Sequence, residues 1–290
     1  MKRTDSFFGT DMAAERRSIR GQTVAGIEFE KQTVRGLWVE RLTVTSGKGA
    51  AAIGRPIGHY HTVNTPEMDG IEEGGIRQAA GALGDVLREL TAGEFGEIPP
   101  RVLVAGLGNE RLSADCVGPL TCRNVTATRH LAGECPELFS TLGCAEVCAV
   151  TPGVSAESGM DAADVVGAVA EKIRPDLVIA VDAYAARSTA RLGTTLQVSD
   201  TGIIPGGGVG NHRLPIDKSV LGVPVFVIGV PTVTDSRIFF EEEAAKRGLK
   251  SYPAAPDEEP YFVCPKAVDR ISETAAKIIA SAINEVYGIS

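Results

Sequence analysis

The sequence predicts an α/β fold, a mostly parallel central sheet with helices on both faces and a small N-terminal β unit. Three observations lead there. Continuous apolar runs at 102–105, 147–150, 177–181 and 223–230 are bounded by Gly, Pro or Asp, as suits parallel strands covered on both faces. Between two of these runs, residues 161–173 open on Asp161 and carry Val165, Val166, Val169 and Ile173 at helical spacing, which is a βαβ signature. Residues 23–45 hold short β-branched and aromatic runs that read as strands.

Taken in chain order, residues 1–20 are charged and lack sustained apolar periodicity, so they read as a mobile arm. The β unit follows, then a Gly-rich stretch at 47–58 read as a loop or bulged edge. Residues 71–91 have the apolar spacing of a helix interrupted by glycines. After the parallel strands begin, a further strand is expected at 194–198 and a Pro- and acid-rich loop at 252–260. A terminal helix is expected at 266–287, starting after Pro265 and ending near Gly288. The organisation is therefore an N-terminal arm (1–20) and one domain (21–290).

Bulk composition narrows the function classes. With 290 residues, 43% hydrophobic and 23% charged, the chain can bury a large core. A net charge of -8 argues against DNA and anionic membranes, whose recognition needs concentrated Lys and Arg. The N-terminus has no apolar signal region and no stretch nears the ~20 apolar residues of a membrane span; a soluble, cytoplasmic protein is expected. The six cysteines have no paired CxxC pattern and read as reduced thiols. Cys144 and Cys148 at CxxxC spacing have no matching pair for a metal, and the four histidines form no HExxH motif. His59-x-His61 would face one side of a strand, but hydrogen-bonding histidines are the commoner case.

In open α/β sheets, ligands gather beyond the carboxyl ends of the strands. Four segments lie there: Gly106-Leu-Gly-Asn-Glu-Arg-Leu-Ser-Ala-Asp115, Thr151-Pro-Gly153, Asp182-Ala-Tyr-Ala-Ala-Arg187-Ser188 and Pro231-Thr-Val-Thr-Asp235. The first imitates a dinucleotide fingerprint, but Arg111 stands where the third glycine belongs. No cofactor is expected. Asp182 ends the run Leu177-Val-Ile-Ala-Val, where partial desolvation would raise its pKa against the pull of nearby Arg187. Catalysis weighs equally there with capping of a following helix through the Tyr184 and Ala185 amides. Asp115 taken alone reads as a cap. Together the two carboxylates could share a proton, one activating water and the other protonating the carbonyl or leaving amine. Gly108, Asn109, Arg187 and Asp200 are candidate supporting residues. So are Gly208 and Asn211 of the run Pro205-Gly-Gly-Gly-Val-Gly-Asn-His212, whose amides could approach an anion or oxyanion.

At these segments the sequence resembles the spore germination proteases. The resemblance is carried by Val104-Ala-Gly-Leu-Gly-Asn109, Asp115-Cys-Val-Gly-Pro119, Thr128-Arg-His-Leu131, Val150-Thr-Pro-Gly-Val154, Val178-Ile-Ala-Val-Asp-Ala-Tyr-Ala-Ala-Arg-Ser188, Gln197-Val-Ser-Asp-Thr-Gly202, 205–211 and Gly229-Val-Pro-Thr-Val-Thr-Asp235, in family order across most of the chain. It implies a fold akin to hydrogenase maturation proteases and an endopeptidase that starts the degradation of small acid-soluble spore proteins in the spore core. It also implies an atypical aspartic mechanism with Asp115 and Asp182 as its acids, synthesis as a self-processing zymogen and a homotetramer. Members cut their own N-terminal peptide at a site resembling the substrate consensus. Thr10-Asp-Met-Ala-Ala-Glu15 has that form, which implies a cut between Asp11 and Met12 and a propeptide of about residues 1–11; Thr4-Asp5 fits less well. Relative to longer members, residues 236–261 look shortened. Two alternatives keep the segments but change the chemistry: a metal-dependent peptidase using the same acids as ligands, as in related maturation proteases, and a protein that binds spore proteins without cutting them.

Overall fold

The computed structural model describes residues 10–21, 23–96, 98–206, 214–249 and 261–288. Among them are nine strands: β1 (Ile27–Val34), β2 (Leu37–Val44), β3 (Gly58–Asn64), β4 (Val102–Gly106), β5 (Val147–Val150), β6 (Leu177–Ala185), β7 (Thr195–Ser199), β8 (Val225–Asp235) and β9 (Phe262–Val263). The helices are α1 (Ala13–Arg20), α2 (Gly47–Ile53), α3 (Glu73–Phe95), α4 (Val117–Asn124), α5 (Arg129–Glu134), α6 (Pro136–Leu142), α7 (Ser155–Ser158), α8 (Ala162–Ile173), α9 (Lys218–Leu221), α10 (Ser236–Lys246) and α11 (Val268–Tyr287).

The sheet order is β1-β2-β3-β7-β8-β6-β4-β5, with β9 beside β8. The α/β class holds, and β5, β4, β6 and β8 are parallel neighbours as the apolar runs require. The N-terminal β unit is not a separate piece. Its strands continue the same sheet in antiparallel fashion through β7, so the parallel strands occupy only one half. Arg35 and Gly36, both at positive φ, make the two-residue turn between β1 and β2, whose twist suits a tight hairpin.

Alternation along the parallel strands divides the core. Val102, Val104, Leu177, Ile179, Val181, Phe226 and Ile228 face α3 and α11. Leu103, Ala105, Val178, Ala180, Val225 and Val227 face α8 on the other side. The helices thus cover both faces, as predicted, because successive side chains in a strand point opposite ways.

Two expectations are corrected. Residues 47–58 are mainly helix: Ser46 Oγ accepts the Gly49 N–H, three alanines follow, and Gly54 closes the turn in the left-handed region. Glycine content hid those signals. The arm is also packed from Thr10 onward. Thr10, Met12 and Ala13 are fully enclosed, Met12 joins the α8-side core, and 13–20 form α1. Its charges had suggested solvent, but they are spent on specific partners. Helix α3 runs unbroken through its glycines, held by burial of Leu83, Val86, Leu87 and Leu90.

Candidate active site

Beyond the carboxyl ends of β4 and β6 lies a cavity of about 420 Å³ lined by both Asp115 and Asp182, together with Gly108, Gly153, Thr232 and the arm residue Asp11. The sheet's layout creates it. Strand β4 stops pairing with β6 at Gly106 and Val181, while β6 continues against β8, with Asp182 opposite Gly229. Asp182 therefore stands at the first position of β6 that lacks its β4 neighbour. It is buried, and no helix follows it to cap. Its Oδ1 accepts the N–H of Ala183 at 3.0 Å.

Asp115 ends a single 3-10 turn, Ser113–Asp115. Its Oδ2 accepts the Asn109 N–H at 2.9 Å, so the Gly-rich turn after β4 grips this carboxylate directly. Gly108 sits at φ +105, and a Cβ there would collide with the Asp115 carbonyl oxygen. Only glycine gives the chain that turn at so little cost. The turn is tied down from two further sides: Thr232 Oγ1 donates to Ala114 O at 2.6 Å, and Ser272 Oγ donates to Ser113 O at 2.7 Å. Helix α4 comes close behind it because Gly118 packs against the backbone oxygens of Leu107 and Val181.

The other predicted residues part company. Asn109 supports Asp115 as described. Arg187 is not the charge partner of Asp182: its side chain pairs with Glu241 at 3.6 Å, while its backbone N–H serves Glu15. Strand β6 continues past 182 and carries residue 187 away. Asp200 accepts from His59 through both the backbone N–H and Nδ1, at 2.7 and 2.6 Å, and is not among the cavity residues. Asp235 caps α10 and pairs with Arg237. Gly208 and Asn211 lie outside the described residues, as do Thr4 and Asp5; the loop's start, Ile203 to Gly206, does line the cavity.

The N-terminal segment is what the sequence left unplaced. Asp11 N donates to Ala185 O at 2.8 Å, and Asp11 Oδ2 accepts the Ala185 N–H at 3.0 Å, so residue 11 runs beside the end of β6. Arg55 Nη2 donates to Asp11 O at 2.5 Å and lies 3.6 Å from Asp11 Oδ1. Gln197 brackets the next peptide units, accepting the Ala13 N–H at 2.8 Å and donating to Asp11 O at 3.4 Å. Glu15 is buried and accepts the N–H groups of Arg187 and Ser188 at 2.7 and 2.9 Å.

Around the cavity, titration is restrained. Burial pushes the Tyr184 phenol well up, with Arg55 opposing and Asp11 and Asp182 reinforcing, so it stays a neutral hydroxyl. Burial likewise pushes Cys122, behind the β4 end, up to about 11, which denies it thiolate character. The arrangement can bring a peptide backbone to two carboxylates.

Comparisons with known proteins identify the family. The family model described as germination protease, Peptidase_A25, matches residues 8–241. A germination protease of Clostridium perfringens is 33% identical, with 95% of this chain and 93% of that protein covered. One from Caldanaerobacter subterraneus is 37% identical, covering 78% of this chain and 69% of its own length. Among solved structures, a NiFe hydrogenase maturation protease from Thermococcus kodakarensis aligns with 69% of this chain and 99% of its own, at 20% identity and a TM-score of 0.36. With the match spanning most of the chain from the arm to α10, the protein belongs to the germination protease family and is a peptidase.

Proposed function

We propose that the chain is a self-processing endopeptidase that opens the degradation of small acid-soluble spore proteins in the germinating spore, with Asp115 and Asp182 as its catalytic carboxylates. The observation that supports this reading is that Asp11, Asp115 and Asp182 line one cavity: the residue on the amino side of the expected cut shares the space of the two acids. One carboxylate, ionised, takes a proton from the water that attacks the Asp11 carbonyl carbon. The other, protonated, donates to the carbonyl oxygen as the tetrahedral intermediate forms. Collapse breaks the C–N bond, and the proton held by the base goes to the departing amine of Met12.

A cut at this bond also suits the packing. Residues 1–11 could leave while Met12 stays in the core and Ala13 and Glu15 keep their bonds to Gln197, Arg187 and Ser188. Uncut, the chain is a zymogen whose own arm lies in the cleft; the assembly is a homotetramer acting in the spore core.

The experiment is intact-mass analysis of the purified chain over time, followed by incubation with a small acid-soluble spore protein. Loss of residues 1–11 and cleavage of the added protein are expected. A chain that retains Met1 and leaves the added protein whole would defeat the proposal.

A further inference from the structure

We infer that Arg55 is the specificity-determining residue that reads the acidic side chain on the amino side of the cut. This rests on the reading of the bond after Asp11 as the bond cleaved.

Arg55 follows α2, outside every segment that the parallel-strand pattern singles out. Its guanidinium reaches both the backbone carbonyl and the carboxylate of residue 11, at 2.5 and 3.6 Å. Both side chains are largely withdrawn from water, Arg55 at 24% and Asp11 at 16% exposure, so the pair is not a surface ion pair of negligible weight. Three carboxylates, those of Asp11, Asp115 and Asp182, converge on the one cavity, and like charges so placed oppose one another. A positive group behind residue 11 offsets that repulsion.

Among the described residues, the guanidinium makes its hydrogen bond and ion pair to Asp11, and its enclosed Nε has no partner. The consequence lies in what processing removes. When residues 1–11 depart, Arg55 loses that counter-charge and faces the vacated cleft as an uncompensated cation. Such a group favours an anionic side chain in the next peptide to enter, and its fork suits a carboxylate. The Ala185 N–H, left without Asp11 Oδ2, supplies a second donor to the same side chain. That amide serves a neutral carboxamide equally well, so discrimination of acid from amide falls to Arg55.

The test is a cycle of full-length chains: wild type, Asp11→Asn, Arg55→Met and the double variant, each followed by intact mass for loss of residues 1–11. Either single change is expected to slow processing by roughly 10- to 100-fold, as for loss of one partner of a desolvated pair. The two losses are expected to combine to less than their product, the remainder being the Arg55 bond to the Asp11 carbonyl that Asp11→Asn leaves in place. In the processed enzyme, peptides spanning residues 4–19 with Asp, Glu, Asn or Lys at position 11 should be ranked acid over amide by wild type, and Arg55→Glu should favour the Lys peptide. A merely structural Arg55 would lower the rate on every peptide alike and leave the ranking unchanged; that result, or single losses that multiply in the double variant, overturns the assignment while leaving the protease reading intact. A wild-type chain that never cuts after residue 11 defeats this assignment together with the self-processing part of the reading above, whereas cleavage of an added spore protein tests the endopeptidase part separately.

Discussion

The two halves of the sheet do different work. In the parallel half, β6 and β8 are buried along nearly their whole length, and the ends of β4 and β6 present Asp115 and Asp182. In the antiparallel half, β1 is half-exposed, and the neighbourhood of β3 and β7 supplies Arg55 and Gln197 to the N-terminal segment. The two proposed catalytic carboxylates stand in β6 and in the turn that follows β4, on strands covered by helices on both faces. The groups that hold the N-terminal segment come from the buried strand β7 and from the turn after α2. The two halves meet at Ala185 and Asp11.

The largest effect should follow from breaking the parallel half. Asp115→Asn and Asp182→Asn are each expected to lower cleavage of an added spore protein by ~10²–10⁴-fold, the usual worth of a general acid or base, with the far-UV CD spectrum retained. Full activity in either variant would move the chemistry elsewhere. Next, Gly108→Ala forces φ +105 on a residue with a Cβ and should cost about 2 kcal/mol or more by urea unfolding. It should also lower activity, since Asp115 is gripped by that turn.

The antiparallel half should show itself through pH. His61 on β3 is enclosed, and burial, aided by Arg41, pushes it down to about 4; its Nδ1 has no partner among the described residues. Its folded pKa lies below the ordinary 6.5, so its contribution is whole above pH 6.5 and is lost as the unfolded chain takes up a proton between there and pH 4. Stability should fall by about 2 kcal/mol from pH 7 to pH 5 on this account. His61→Gln should flatten that part of the profile, and an unchanged slope would show that other groups set it. The smallest expected effect is Thr232→Val, which removes the bond to Ala114 O at about 1 kcal/mol of unfolding free energy; a fall in kcat with KM unchanged would mark Thr232 as positioning the Asp115 turn.

Much of this was legible in one dimension. Four apolar runs bounded by turn residues are enough to announce parallel strands, because a strand covered on both faces has no polar side to show. The same logic pointed to the segments after 106 and 181, and ordered resemblance across them pointed to peptidase chemistry. What misled was composition. Glycines at 47, 49 and 54 concealed a capped helix, and the charges of residues 1–20 suggested an arm in solvent when Glu15 and Asp11 are held by amides and arginines.

The sequence by itself determined the α/β class, the strand that Asp115 follows, the strand that holds Asp182, and the family. Only the tertiary structure decided that Asp11, Asp115 and Asp182 line one cavity, that Arg187 and Asp200 are engaged elsewhere, and that Arg55 reaches residue 11 across 44 positions of chain. The physical reason is that periodicity and local propensity are written between near neighbours, whereas a carboxylate's partners are chosen by which strands pair. The antiparallel joining of β7 to β8 brings Gln197 and Arg55 to the arm, and no local pattern records that pairing.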